Sequence, residues 1–485
     1  MESLPRYLPE FTLCVALLAA VLVDAVRRER GAVLAAWITI VGALAAAGLT
    51  ITGSADPAPV RVFSGMAALS PFVDFFRVFL SLTAVAAAAF ALPHVRPGGA
   101  LFGRGAEFFP LLIATTLGGF LLAGATHLVM VLLALEIISI PSYVMAGLCA
   151  DDRRGAEASV KYVIYGGFAT GAMVFGFSLL YGMTGSLDLG TIGTALAGRP
   201  ESPGLWIAVL LSLAGAGYKI SMVPFHLWAP DVYEGSPTPA VAFFSIGPKA
   251  AGIALMVRLA FGLGGGGGSF PWPTLFAVLS ALAMIVGNAA ALVQKDTKRM
   301  LAYSGIAHAG YLLLGLAAFD QFGLQAMLLY LVVYGLANLG FFLVIDMVER
   351  SGRDSSIDSF RGLGWREPMV GALLAICLFS LTGLPPTAGF IGKVFVFGAV
   401  IQHGMWNLAA LGLLTSVVSL FYYVRVLRAL YLEGTAEERA PSPDGKRLGP
   451  VPLLAVFAVP VLVLGLWWGG LVDIAAHAAR ILGMG

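Results

Sequence analysis

The sequence predicts an all-α polytopic membrane protein of about fourteen transmembrane helices, forming a single integral membrane domain over residues 1–485. Three observations carry that expectation. The chain is 59% hydrophobic, with a mean hydropathy of +0.89. Only 12% of it is charged, 29 Lys/Arg and 27 Asp/Glu, where a globular chain of this length carries roughly 120 charged residues at about 25%. Apolar runs of about 20 residues, the length a helix needs to cross a bilayer core of about 30 Å, recur from end to end. A soluble protein this apolar has too little polar surface to cover itself. That excludes a cytosolic enzyme, a nucleic-acid binder and a disordered chain. The net charge of +2 is silent about partners. Cys14, Cys149 and Cys377 are far apart, each in or beside an apolar run. They make neither a metal-binding spacing nor a disulfide framework, so no iron–sulfur or zinc site is expected in the chain.

In order, the candidate spans are 8–26, 32–53, 70–92, 107–125, 127–149, 157–183, 205–229, 238–262, 272–293, 300–319, 324–348, 369–403, 407–431 and 450–470. Each is expected to be helical, because lipid offers no partner to an open strand. The first makes a poor signal peptide, since Arg27, Arg28 and Arg30 follow it instead of preceding it. In the seventh, Pro224 removes a backbone donor and breaks the helix just beyond Lys219. The twelfth is too long for one straight span, and Pro385-Pro386 divides it. The connections 349–368 and 432–449 mix Ser, Gly, Pro and charge and read as loops. Gly264 to Gly268 read as a flexible outward loop, because no Lys-Ser/Thr or strand accompanies them as a phosphate site requires.

Positive residues set the expected orientation. With the N-terminus outside, the inward loops hold Arg27, Arg28, Arg30, Arg96, Arg104, Arg153, Arg154, Lys295, Lys298, Arg299, Arg350, Arg353, Arg361, Arg366, Arg425, Arg428, Arg439, Lys446 and Arg447. The outward segments hold only Arg6, Arg61, Arg199, Arg258 and Arg480. The positive-inside rule then places both termini outside and makes the number of spans even.

Subtracting the loops leaves few ionisable groups at membrane depth: Asp74, Arg77, Glu136, Lys161, Lys219, Lys249 and Lys393, with His226 and His308. A charge at a helix centre costs at least about 2.5–3.5 kcal/mol, so these groups must face protein, water or each other. Glu136 has eight apolar residues before it and Pro141 five after. It reads as a titratable group on an ion path, with a fixed ion pair locking two helices as the structural alternative. Lys219 follows the small residues Gly215, Ala216 and Gly217, which permit close helix approach. A helix broken beside it exposes backbone that tolerates water and charge. Lys249 follows Pro248, and Lys393 lies eight residues after Pro385. Lys161 begins its span near Arg153 and Arg154, so snorkelling to the inner face competes with a buried role. Asp74 and Arg77 are three apart and can satisfy each other on one helix face. His308 reads as a relay group or a hydrogen-bonded core histidine, and His226 stands near a membrane edge.

The spacing also contains a repeat. Glu136, Lys161 and Lys219 recur as His308, Tyr334 and Lys393 after an offset of 172–174 residues, and Ile164-Tyr165-Gly166 matches Val333-Tyr334-Gly335. Two five-span blocks, 107–262 and 272–431, superpose on that offset. Five is odd, so the second block is inverted relative to the first, as in many secondary transporters.

Four stretches, LALEIISIPSYVMAG, GYKISMVPFHLWAPDVYEGSPTPAVAF, KDTKRMLAYSGIAHAGYLLLG and GLPPTAGFIGKVFVF, resemble the antiporter-like membrane subunits of respiratory complex I. The resemblance covers nearly the whole chain, and the second stretch is highly specific. Lys393 resembles the subunit N type, where the M type generally has glutamate, and the long lateral helix of the L type is not expected here. The resemblance implies fourteen helices, with helices seven and twelve discontinuous, and a proton-translocating role driven by electron transfer elsewhere in the complex. It carries Glu136, Lys219, Lys249, His308 and Lys393 over as the proton relay. It also implies a bacterial inner membrane and, as partners, the other membrane subunits, neighbouring antiporter-like subunits among them. No cofactor is expected in this chain. NADH, FMN, iron–sulfur clusters and quinone are expected in partner subunits.

In the relay so read, Glu136 pairs with Lys219, and weakening that pair sends the proton toward Lys249, then through His308 and water to Lys393 and the outside. A buried lysine suits this because burial and partners tune its protonation. Two other readings stand beside it. One is a subunit of a multisubunit cation/proton antiporter. The other is a non-pumping structural subunit, against which the buried charges argue, because apolar residues serve an inert scaffold at lower cost.

Overall fold

The computed structural model describes residues 5–26, 31–53, 60–97, 99–103, 105–148, 153–264, 270–440 and 449–480. Arg27, Arg28, Arg30, Arg104, Cys149, glycines 265–268, Lys446 and Arg447 lie outside the described residues. Among the described residues, ten helices are long and apolar enough to cross a membrane, or eleven if the bent pair Val451–Leu466 and Gly469–Ala479 is one span. The expected count of fourteen is not reached among the described residues, for a local reason. The first run contributes only the shorter apolar helix Leu8–Val23, and the seventh and twelfth are each cut into short helices. Pro203–Ser212 and Ala214–Lys219 make up the seventh, and the chain leaves the helix at Ile220, before the expected end at 229. Pro368–Thr382 and Ala388–Gln402 make up the twelfth, with the interruption at the double proline as expected.

One departure from the all-helical expectation is a hairpin of two three-residue strands, Val60–Val62 and Ala67–Leu69, paired antiparallel with Val60 opposite Leu69. Its apolar side chains bury against Tyr7 and Val73, so the hairpin closes over one end of the N-terminal helices instead of facing lipid.

The contacts divide the chain into two compact units. The first holds residues up to Trp228, Gly235–Trp272 and the segment from His477, and the second holds Ala229–Glu234 and Pro273–Ala476. In the first, the helices Leu8–Val26, Gly31–Gly53, Pro71–Ala91 and Gly105–Gly124 pack against one another, and Thr238–Gly264 packs on the last two. Thr238–Gly264 has few polar residues besides Lys249 and Arg258 and is wholly buried along its most apolar stretch. In the second unit, Thr297–Ala318 and Gln321–Arg350 are the buried pair. Gly315 and Gly323 face each other there so closely that a Cβ on either would meet the other's carbonyl oxygen at 2.3 Å.

Sequence chemistry places the helix ends. Ser202, Asp296 and Asp320 are N-caps whose side-chain oxygens accept from the amides of Leu205, Arg299 and Gly323 at 3.2, 2.9 and 2.7 Å. Thr116 and Ser142 inside their helices fold back on their own backbone, donating to Leu112 O at 2.8 Å and Ile138 O at 2.6 Å, so these two hydroxyls add no free polar group at membrane depth. The outward surface is apolar, with Phe168, Phe421 and Leu18 all more than half exposed. That is the inverse of a soluble protein and what lipid requires.

Candidate functional site

In the first unit, Glu136 lies two turns into the Leu128–Ala146 helix and is half-buried. Its Oε1 accepts a hydrogen bond from Thr170 Oγ1 at 2.9 Å, across to the Arg153–Thr184 helix. Lys219 is the last residue of Ala214–Lys219 and is 1% exposed. The helix stops there because the amides of Ile220, Ser221 and Met222 turn back onto Ala216, Tyr218 and Gly217 O at 3.1, 3.0 and 2.8 Å. Pro224, with no amide to donate, then holds the chain out of the helix. A direct Glu136–Lys219 ion pair is not formed among the described residues. Tyr143, two turns beyond Glu136 and so on the same helix face, stands with Tyr162 and Tyr218 around the lysine amine, at 5.6, 5.6 and 5.4 Å from Nζ to the ring centroids. Among the described residues Nζ has no hydrogen-bond partner.

Lys249 is 1% exposed in Thr238–Gly264, which continues through Pro248. One turn on, Gly252 lies so close to the broken helix that a Cβ there would meet Lys219 Cβ at 2.8 Å. The two lysines therefore stand on elements in direct contact. Lys161 is different: it is about one-third exposed and pairs with Glu157 on its own helix at 2.7 Å. His226 is half-buried in the interruption after Lys219.

In the second unit, His308 is 2% exposed. Its Nδ1 lies 2.7 Å from Tyr330 Oη and its Nε2 3.3 Å from Tyr423 Oη, and its ring stacks on Tyr334 at 4.6 Å. Ser304 Oγ continues from Tyr423 Oη at 2.5 Å. Lys393, 4% exposed, sits in the second half of the divided run, yet its ammonium reaches back to the end of the first half. It donates to Thr382 O and Ser416 Oγ at 2.7 Å each and to Leu381 O at 3.3 Å. The Tyr311 ring lies 4.7 Å away. Tyr311 Oη and Tyr422 Oη meet at Asn288, which donates to the first at 3.4 Å and accepts from the second at 3.1 Å. The last carbonyls of a helix have no intrahelical donor and carry its negative dipole end, which suits an ammonium.

Several groups were not singled out from the sequence: the tyrosines, Asn288, Ser416 and Thr170 around the lysines, and two buried acids, Glu10 and Asp346. Tyr330, Tyr334, Asn338 and Asp346 recur at multiples of four on one helix. That spacing was a usable signal. Arg77 does pair with Asp74 at 3.1 Å, and it also holds Glu10 at 2.5 Å. Among the described residues there is no group of three or more His, Cys, Asp or Glu able to hold a metal ion.

The chain is similar to known proteins along its whole length. Residues 125–419 match the family described as NADH:quinone oxidoreductase/Mrp antiporter, transmembrane. It is 42% identical over 500 residues to NADH-quinone oxidoreductase subunit N 2 of Sorangium cellulosum (strain So ce56), covering 99% of this chain and 98% of that one. The chain belongs to the NADH-quinone oxidoreductase subunit N family. Among solved structures, a chain of respiratory complex I from Thermus thermophilus with bound aureothin matches this family member with a TM-score of 0.80 at 34% identity, covering 96% of this chain and 99% of that one. A chain of the Mrp complex from Dietzia sp. DQ12-45-1b matches with a TM-score of 0.85 at 23% identity, covering 98% and 97%, and shares the fold. The family resemblance read from the four motifs is thereby borne out. The stretch matched to the family model, 125–419, includes every relay candidate from Glu136 to Lys393, and leaves the Glu10–Asp74–Arg77 cluster outside it.

Proposed function

We propose that this chain is a proton-translocating membrane subunit of a bacterial NADH-quinone oxidoreductase, complex I, working beside other membrane subunits and neighbouring antiporter-like subunits. The observation that carries the reading is the pairing of a buried lysine with an interrupted helix twice in one chain, Lys219 against three tyrosine rings and Lys393 against that of Tyr311. Glu136, Lys219 and Lys249 form the relay in the first unit, and His308 and Lys393 form it in the second. Lys161 is the least secure member, because its Glu157 partner and its exposure fit a rim position as well. The blocks 107–262 and 272–431 are taken as inverted five-helix repeats, a reading supported by the recurrence of a break beside each lysine.

Lysine suits the task. It carries a proton as a point charge, and its protonation answers to burial and to the groups around it. In the second unit, Tyr330, His308 and Tyr423 give a proton three successive oxygen and nitrogen stations, and the imidazole can take a proton on one nitrogen and release it from the other. Moving a charge outward against the membrane potential costs about 2.3 kcal/mol per 100 mV, so the energy must come from coupled chemistry. We assign that chemistry, with NADH, FMN, iron–sulfur clusters and quinone, to partner subunits. The chain sits in the inner membrane with both termini outside, a reading supported by the nineteen inward-loop cations against five outward.

The test is proton pumping per NADH oxidised in inverted membrane vesicles. Lys219→Ala and Glu136→Ala are each expected to lower it in an assembled complex. Normal assembly with normal pumping in both variants sinks the relay assignment, and purification of the tagged chain identifies its partners directly.

A further inference from the structure

The Lys219 amine, unlike that of Lys393, makes no hydrogen bond among the described residues and stands against rings. We propose that Tyr143, Tyr162 and Tyr218 form an aromatic cage that holds the Lys219 ammonium, with Gly166 as the position that makes room for it. The proposal rests on the reading of Lys219 as a proton carrier and adds to it three positioning residues.

The three ring centroids lie 5.6, 5.6 and 5.4 Å from Nζ, inside the roughly 6 Å over which a ring's negative face attracts a cation. They come from three separate helices, Leu128–Ala146, Arg153–Thr184 and Ala214–Lys219. The rings are cross-braced. Tyr162 stacks on Trp228 at 4.4 Å and 17° and meets Tyr143 edge-on at 4.9 Å and 79°. Tyr218 Oη donates to Tyr162 O at 2.8 Å, and Trp228 Nε1 donates to Tyr218 O at 3.0 Å. A bulky residue has no reason to be held this firmly unless its place matters or it merely fills the core, and Gly166 separates the two. A Cβ there would lie 1.8 Å from Tyr143 Oη and 2.9 Å from Tyr218 Oη. Both phenols therefore end over a backbone with no side chain.

The chemistry explains why rings stand there. An ammonium taken out of water without a partner is costly. A carboxylate in contact would hold it, but would also become a buried unpaired charge whenever the proton left. A ring face attracts the cation and carries no net charge, so the site tolerates both forms of the lysine. Glu136 is kept on Thr170 and does not contact the amine. The cage thus holds the ammonium when it is apart from the carboxylate.

The test uses the whole complex in inverted vesicles, with position 162 changed to Phe and then to mono-, di- and trifluorophenylalanine. Fluorine drains the negative ring face and leaves the shape nearly unchanged. Pumping by Tyr162→Phe, which keeps the ring, sets the reference, and the fluorinated series is expected to fall stepwise below it by roughly two- to fivefold at trifluoro. Gly166→Ala, which displaces Tyr143, is expected to lose pumping while the complex still assembles. Lys219→Ala runs in parallel. A flat fluorine series with Lys219→Ala impaired overturns the cage and leaves the relay standing. Full pumping by Lys219→Ala overturns the relay, and the cage with it.

Discussion

Gly383 gives the sharpest handle on Lys393. It ends the Pro368–Thr382 helix in the left-handed region, with φ +89°, its amide turned back onto Phe379 O. A Cβ on it would lie 2.6 Å from Lys393 Cδ and 3.3 Å from Nζ. Carbon atoms rest at about 3.5–4.0 Å, so in Gly383→Ala the lysine stem must retreat by roughly 1 Å. The 2.7 Å bond from Nζ to Thr382 O then opens to about 3.7 Å, which is no longer a hydrogen bond. The left-handed conformation costs a non-glycine residue roughly 1–2 kcal/mol, and a hydrogen bond to a charged group contributes about 1.5–3 kcal/mol. The variant is therefore expected to lose roughly 2.5–5 kcal/mol around this site. In inverted vesicles it should assemble and pump severalfold fewer protons per NADH oxidised. Gly398→Ala is the control. It lies in the Ala388–Gln402 helix with open space around it, and should pump normally and gain up to about 1 kcal/mol of helix stability. Wild-type pumping by Gly383→Ala, or an equal defect in Gly398→Ala, refutes the claim that the Thr382 carbonyl positions the lysine.

Arg77→Met strips the buried Glu10 of the guanidinium that holds it at 2.5 Å, and should destabilise the N-terminal helices by about 3–5 kcal/mol. Adding Glu10→Gln should restore much of the lost melting temperature in detergent, and no recovery would show that the ion pair is not the cause. Arg299 bridges Asp231 at 2.7 Å and Glu234 at 2.8 Å, and all three side chains are more than a quarter exposed. Arg299→Gln should therefore cost only about 1 kcal/mol, and amide exchange in Ala229–Gly235 should rise less in high salt than in low. Asp354 accepts from the hydroxyls of Ser356, at 2.6 Å, and Ser359. These bonds hold its carboxyl below the ordinary value of 3.8. A depressed carboxyl stabilises the fold above its unfolded value and loses that contribution as pH falls through the folded one. Amide exchange in the 353–360 loop should thus be flat with pH above about 4, after correction for intrinsic rates, and accelerate below it. The same dependence in Asp354→Asn would remove Asp354 as its source.

Most of the fold was legible along the chain because lipid leaves so few options. A run of about 20 apolar residues in a bilayer must be a helix, and a proline that cannot donate can end one, as at Pro224 and Pro385-Pro386, although the helices run on through Pro110, Pro141 and Pro248. The hairpin at Val60–Leu69 was not legible. Three-residue strands carry no periodicity, and this pair is held by Tyr7 and Val73, distant in sequence. The lysines stood out because a charge among apolar residues is conspicuous. Their surroundings did not, because tyrosine in an apolar run reads equally well as core. Glu10 does not stand out along the chain because it lies in the first turn of its helix, where an acid suits the helix dipole without any buried partner.

The sequence by itself determined that this chain lives in a membrane, where its helices break and which charges they carry inward. These follow from local solvation and backbone chemistry, which act residue by residue. Only the tertiary structure decided what each charge meets. Lys219 meets rings and not Glu136, Lys393 meets the open carbonyls of the helix before it, and His308 meets two phenols. Those outcomes depend on helix rotation and on glycines such as Gly166, Gly252 and Gly383, where a single missing Cβ sets how closely two elements approach. A one-dimensional pattern does not hold that information.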